Sequence, residues 1–361
     1  MAETFLTELC ERVRDAAAHG KALRIRGGGT KDFYGAAGRG GEILETTGGS
    51  GIVAYEPKEL VLTVRAGTPL AQVERALAAE RQMLPFEPPH FAPSPPAAAA
   101  SAATIGGIVA CGLSGPRRPY AGAVRDFVLG TRIVNGKGEA LAFGGRVIKN
   151  VAGYDVSRLM AGALGTLGVI TEISFKVLPR PPEEATLAFP LGQGEAIERA
   201  NRWAGQPLPL SASAWEDGVL RVRLSGAPAA IAAARAKMGG EEDPGGPAYW
   251  TALREQRLAF FAGEAPLWRL ALPQTAPPLF AGHAQLVEWG GGVRWIRGPA
   301  DAFALRTEAE RAGGHATLFR GGDKSVGVFH PLAPALMKIH RRLKAAFDPA
   351  GILNPGRMYD F

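Results

Sequence analysis

Three glycine-rich segments restrict what this chain can fold into more than any other feature of it. The first, Arg26-Gly27-Gly28-Gly29-Thr30, is delivered by the strand-like Ala22-Leu-Arg-Ile-Arg26. Glycine reaches backbone angles closed to other residues, so consecutive glycines after a strand can turn several N–H groups toward one point and make an anion nest. A pyrophosphate fits such a nest, and a plain tight turn uses the same residues equally well. The turn lacks the Lys-Ser/Thr of a P-loop, and no G-x-G-x-x-G opens a helix here.

The second segment is Thr104-Ile105-Gly106-Gly107-Ile108-Val109-Ala110-Cys111-Gly112, continued by Ser114-Gly115-Pro116-Arg117-Arg118 and Val124 to Gly130. The third is Lys149-Asn-Val-Ala-Gly-Tyr-Asp155, followed by Gly162-Ala-Leu-Gly165-Thr166-Leu167-Gly168-Val169-Ile170. So many small residues let the backbone approach a large flat ligand, or let strands pack closely on one another.

Around these segments the element pattern is regular. An amphipathic helix runs from the N-terminus through Val13 and Ala17. Leu60 to Val64 reads as a strand, and Leu70, Val73 and Leu77 repeat at helical spacing behind Pro69. The proline-rich stretch from Pro88 to Pro96 reads as a surface insertion. Between Thr104 and Pro179, glycine-rich turns alternate with strand-like segments such as Val169 to Leu178. Past Pro179-Arg-Pro-Pro182 the order becomes strand (Thr186 to Phe189), helix (Glu195 to Trp203), two strands (Ser211 to Trp215, Val219 to Leu224) and helix (Pro228 to Met238). Closed by a later strand such as Trp268 to Leu272, this order predicts a ferredoxin-like layer. The last helix, Ala333 to Phe347, carries Leu336, Ile339, Leu343 and Phe347 on one face and leads into an ordered docking tail through Arg357. The expected fold class is α+β, divided at 1–180, 181–330 and 331–361.

Composition excludes several functions. The net charge of +7 is spread along the chain, with no basic stripe interleaved with aromatics, so no nucleic acid is expected as a partner. The only cysteines, Cys10 and Cys111, are far apart, which excludes a disulfide scaffold and a cysteine-ligated zinc or iron–sulfur cluster within the chain. The most apolar run, Ala97 to Leu113, is broken by glycines and is shorter than the ~20 residues of a spanning helix. The N-terminus lacks the basic and apolar regions of a signal peptide. A cytoplasmic protein is expected, at most peripheral to a membrane. None of His19, His90, His283, His330 and His340 shows paired metal-ligand spacing, and no metal is expected.

Taken in order with Ile352-Leu-Asn-Pro-Gly356, the three segments resemble the PCMH-type (vanillyl-alcohol oxidase-like) FAD-binding family over roughly half of the chain. Cys111-Gly-Leu-Ser-Gly-Pro-Arg-Arg-Pro and Lys149-Asn-Val-Ala-Gly-Tyr-Asp are most similar to the FAD-binding subunits of glycolate oxidases. The resemblance implies a two-part FAD domain, a smaller ferredoxin-like cap and a C-terminal segment returning to the FAD domain. It implies that Arg26, Gly27, Gly28, Gly29 and Thr30 hold the pyrophosphate. Thr104, Ile105, Gly106, Gly107, Ala110, Gly112 and Ser114 would line the flavin. Gly165, Thr166, Gly168, Val169 and Ile170 would lie along the adenosine half, and Asn354 would return toward the ring. The implied partners are a larger flavoprotein subunit, an iron–sulfur subunit and a small 2-hydroxy acid.

Two departures matter. No histidine stands in the glycine loop, so FAD is expected to be non-covalent. Relatives that oxidise 2-hydroxy acids alone carry an H-x-G-D-G-N-x-H stretch in the cap, where this chain has only Gly313-Gly-His315. No residue is therefore assigned a catalytic role, and the isolated chain is expected to oxidise glycolate poorly. A self-sufficient dehydrogenase, or a structural subunit with an inactive flavin, are the competing readings.

Overall fold

The computed structural model describes residues 2–91, 102–145 and 154–360. Most of Pro88 to Pro96, the alanine run to Ser101, and Lys149 to Gly153 lie outside the described residues.

Helix α1 (Ala2–Ala18) buries Leu9, Cys10, Val13 and Ala16 against the parallel pair β1 (Leu23–Arg26) and β2 (Glu42–Glu45). The antiparallel sheet β3-β4-β8-β6-β7 follows, built from β3 (Ile52–Glu56), β4 (Val61–Arg65), β6 (Val128–Val134), β7 (Ala140–Gly144) and β8 (Val169–Lys176). A short pair, β5 (Gln82–Met83) with β9 (Leu178–Pro179), lies beside it. Helix α2 (Leu70–Ala79) packs through Leu70, Val73 and Leu77, the residues at helical spacing.

Ile105–Cys111 is a helix, α3, where turns and strand-like segments were expected. Thr104 Oγ1 accepts from the Gly107 N–H, and Gly112 closes the helix at φ 65°. Local capping at both ends overrides the poor helix propensity of two glycines. Those glycines also permit close packing, because a Cβ on Gly106 would stand 2.8 Å from that of Ala66. Short helices α4 (Arg118–Ala121), α5 (Val124–Phe127) and α6 (Val156–Leu159) complete this part.

The second large sheet has eight strands, in the order β13-β10-β12-β11-β15-β16-β14-β17. Its first half comprises β10 (Glu183–Pro190), α7 (Gln193–Ala204), β11 (Leu210–Glu216), β12 (Val219–Gly226), α8 (Pro228–Met238) and β13 (Glu241–Glu242). The closing strand is β13, and not Trp268 to Leu272 as expected. Gly239 and Gly240, both at positive φ, turn the chain leaving α8 straight back onto β10. Its second half follows α9 (Gly246–Arg254) and comprises β14 (Leu267–Ala271), β15 (Ala284–Glu288), β16 (Val293–Arg297), α10 (Ala302–Arg311) and β17 (His315–Arg320). The halves join edge to edge through β11 and β15, with Ala214 opposite Glu288.

Two buried networks fasten these parts. Glu87 pairs with Arg117 and with Arg223 of β12. Helix α11 (Pro334–Phe347) packs by Leu343 and Phe347, while Leu336 and Ile339 stay half exposed, so only the C-terminal part of its apolar face docks. Lys344 then donates to the carbonyls of Thr166 and Leu353 and to Asp348, which in turn accepts from the N–H groups of Ile352 and Leu353. The tail is thereby laid alongside β1, with the Leu23 N–H on the Ile352 carbonyl and the Asn354 N–H on the Leu23 carbonyl.

Candidate functional site

Strand β1 ends at the glycine turn, where the arginine side chains are tied to Asp32. Arg26 Nε and Arg24 Nη2 both fold away onto Asp32, at 2.9 and 3.0 Å. A Cβ on Gly27 would stand 2.3 Å from Thr104 Oγ1, and one on Gly28 only 1.7 Å from the Ala102 carbonyl oxygen. Contacts that short exclude any side chain. The N–H groups of Gly27, Gly28, Gly29, Thr30 and Lys31 find no acceptor among the described residues. Unmade backbone hydrogen bonds are costly in a cavity, so five consecutive free donors call for an anion.

The cavity at this turn joins segments distant in sequence. Arg26 to Thr30 form one wall, with Thr104, Gly106, Gly107 and Ala110 of the α3 region beside them. Gly165, Gly168 and Ile170 form the other wall, and Asn354 stands at the rim. Gly112 and Ser114 lie beyond it, in an adjoining chamber. Three expected residues line neither space. Ile105 and Val169 face the apolar core, and Thr166 is buried with its hydroxyl on the Ala163 carbonyl. Helical periodicity turns Ile105 inward and strand periodicity Val169, whereas Thr166 is held by its own turn.

Asn354, expected to return toward the flavin ring, stands beside Gly165 in the cavity lining. Its Oδ1 accepts from the Ile25 N–H at 2.8 Å and its Nδ2 donates to the Leu164 carbonyl at 2.7 Å, which stitches β1 to the opposite wall. Two cations escaped the sequence reasoning. Lys31 is buried at the cavity, 3.3 Å from both Thr30 Oγ1 and the His90 carbonyl, and burial brings its pKa down to about 8 against the pull of Cys111 and Glu255. Arg357 reaches the wall from the tail, held by the carbonyls of Ala36 and Asp32. Position next to the glycine turn was the signal available for Lys31, whereas Arg357 depends on the docked tail. Cys111 lines the far end, its thiol pushed up by burial, with Lys31 and Arg357 opposing.

Contiguous donors, a groove admitting only glycine and a desolvated cation fit the pyrophosphate of a dinucleotide, and the small-residue walls fit its flat ends. The tandem arginines are divided by the fold: Arg117 is consumed by Glu87 and Glu184, while Arg118 faces the adjoining chamber. His90 is bound to Glu74 at 2.9 Å and lines neither space. His315 starts β17, opposite Ala271 and outside both spaces, with its ring 6.4 Å from that of His330. Partial burial, then Arg269 and His330, lower its pKa. No group of three metal ligands occurs among the described residues.

A family model described as FAD binding domain matches residues 6–144, and one described as FAD linked oxidases, C-terminal domain, matches residues 330–358. The chain is 48% identical over 351 residues to glycolate oxidase subunit GlcE of Escherichia coli K12, covering 97% of this chain and 96% of that one. It is 32% identical over 148 residues to glycolate oxidase subunit GlcD of Bacillus subtilis, spanning 41% of this chain and 30% of the relative. Among solved structures, p-cresol methylhydroxylase with substrate bound superposes with a TM-score of 0.72 at 16% identity, covering 98% of this chain and 87% of that one. That likeness shows the fold, an α+β arrangement of the PCMH flavoprotein type.

Proposed function

This chain belongs to the GlcE family of glycolate oxidase subunits, FAD-linked oxidoreductases, and we propose that it is the FAD-binding subunit of a complex that oxidises glycolate to glyoxylate. The observation that carries the reading is the run of five N–H donors without an acceptor among the described residues, starting at two glycines where no side chain fits. In this reading the donors of Gly27 to Lys31, with the Lys31 ammonium, hold the pyrophosphate. The walls of α3 take the flavin half, and Gly165 to Ile170 the adenosine half. When bound, FAD supplies a two-electron acceptor; the chain positions it and sets the charge around it.

Binding is read as non-covalent, because no histidine lines the cavity among the described residues and the Cys111 thiol is kept protonated by burial. Residues 1–180 form the FAD domain, 181–330 the cap and 331–361 the returning tail. The two four-stranded halves of the large sheet fit a ferredoxin-like cap, since each places its strands in the order fourth, first, third, second. The onward acceptor is read as an iron–sulfur subunit, beside a larger flavoprotein subunit, because two lone cysteines cannot hold a cluster. No helix among the described residues is long and apolar enough to cross a membrane.

Purification of the chain and its visible spectrum test the reading. A flavin spectrum is expected, with the chromophore released to the supernatant on acid precipitation. A chain that carries no flavin and takes none up from added FAD refutes the assignment, and chromophore left in the pellet refutes the non-covalent link.

A further inference from the structure

Beyond the far end of the glycine cavity lies a chamber of about 260 Å³, and Cys111 forms part of the wall of both. Its lining comes from the two large parts of the molecule: Gly112 to Pro116 on one side, and Arg269, Glu288, Trp289 and Trp295 on the other. The guanidinium groups of Arg118 and Arg269 make no hydrogen bond or ion pair with any described residue. Both stand against one indole, with Arg118 Cζ 4.5 Å and Arg269 Cζ 5.1 Å from the centre of Trp289. The nearby Arg117 and Arg223 contrast with them, being saturated by Glu87.

The indole is held in place by a constrained turn. Trp289 and Gly290 adopt φ 58° and 65°, a conformation uncommon for a bulky residue and retained only where its surroundings enforce it. Here Ser213 Oγ accepts from the Gly290 N–H at 2.9 Å, while Gln274 and Asn201 donate to the Trp289 and Gly290 carbonyls at 2.9 and 2.7 Å. Trp289 Nε1 and Gln256 Oε1, both on lining residues, are buried without a hydrogen-bond partner.

The charge in the chamber is unbalanced. Burial lowers the pKa of Arg118, and Arg269 and Arg125 lower it further by repulsion against the weaker pull of Asp126. The single carboxylate among the lining residues, Glu288, has one oxygen on Trp295 Nε1 at 2.7 Å. Burial pushes Glu288 up to about 7, so it is a poor counter-charge near neutrality. Desolvated guanidiniums without a partner are stabilised most by a planar anion that takes two N–H bonds at once.

We infer that this chamber binds the carboxylate of a small 2-hydroxy acid between Arg118 and Arg269, with Trp289 fixing the gap between them. The size and aromatic walls of the chamber admit a small acid, and the Cys111 wall sets it beside the flavin end of the cavity. The choice of a 2-hydroxy acid rests on the flavin reading of that cavity; the binding of a carboxylate does not. The substrate subsite then lies in this chain despite its lack of a histidine motif.

The test is titration of the purified full chain with oxalate and with glycolate, followed by tryptophan fluorescence and calorimetry, with flavin occupancy read separately from absorbance. Oxalate should bind the wild type and weaken by about tenfold or more in Arg118→Gln and in Arg269→Gln, the loss of a charged hydrogen-bonding partner. Arg269→Lys, which keeps the charge, should fall between. Absence of oxalate binding by the wild type, or wild-type affinity retained in both glutamine variants, overturns the inference. So does a lowered flavin midpoint potential at unchanged oxalate affinity, because the arginines would then serve the reduced flavin. A chain without flavin counts against the proposed function alone, since the oxalate affinities still decide this inference.

Discussion

The glycine cavity and the arginine chamber share the Cys111 wall but are built on opposite principles. The cavity is built around backbone: its donors are consecutive N–H groups, and glycines from three separated segments open its walls. The chamber is made of side chains drawn from Tyr34 to Phe319, and its character depends on charges that have no partner. A backbone site is specified by a short run of residues, whereas a side-chain site is specified only once distant elements meet. Substitutions should therefore separate the two.

The largest expected effect is at Gly28. A valine there places its Cβ on the Ala102 carbonyl, so flavin absorbance should be lost from purified Gly28→Val, while oxalate binding in the chamber is reduced far less. Full flavin occupancy in that variant would break the comparison at its root.

Next comes Glu87, whose carboxylate joins the two large parts. Burial opposes its ionisation, but Arg223 and Arg117 outweigh burial and hold it below the usual carboxylate range. Glu87→Ala leaves the buried Arg223 guanidinium without a carboxylate and Arg117 with Glu184 alone, and should cost about 3–5 kcal/mol in denaturant unfolding. It should also loosen the chamber, which Pro89 and Phe91 help to line, before it empties the cavity. An unfolding midpoint within error of the wild type would show that the network is dispensable.

A smaller effect is expected at Glu288. Its folded pKa of about 7 lies above its ordinary value, so the folded chain holds the proton more tightly than the unfolded one. That contribution to stability is complete below the ordinary carboxylate pKa and disappears as pH rises through about 7. Glu288→Gln still offers an oxygen to Trp295 and should be more stable than the wild type near pH ~8, by about 1–3 kcal/mol, with a flatter profile at lower pH. A pH profile identical to that of the wild type would place Glu288 in a more polar setting than the chamber implies.

The smallest expected change is at His315. It lines neither space, so His315→Ala should alter glycolate turnover by the assembled complex less than about threefold, under 1 kcal/mol. Loss of turnover in that variant, with flavin retained, would restore a histidine-based site in this chain.

Glycine spacing in the sequence marked the cavity walls because close backbone approach has a local signature: Gly27 to Gly29, Gly106, Gly107, Gly165 and Gly168 had to be glycine or small wherever the chain ran. Period-two and helical patterns likewise located β10, α7, β11, β12 and α8 of the second sheet, and β14 beyond them, but not β15, β16, α10 or β17. The side chains of Ile105 and Val169 turn into the apolar core, since a motif names a segment while periodicity decides which of its side chains face inward. The closing strand of the sheet was misplaced, because two residues, Glu241 and Glu242, make a strand only by pairing with β10.

The sequence by itself therefore determined the glycine segments of the cavity and the succession of elements from β10 to α8, both of which depend on neighbours along the chain. Only the tertiary structure decided that Arg117 is neutralised while Arg118 is left free, that Arg269 meets it across Trp289, and that Lys31 and Arg357 converge on the cavity. Identical side chains at adjacent positions carry no mark of their future partners, and the energy of a charge is set by what the fold brings within a few ångströms of it.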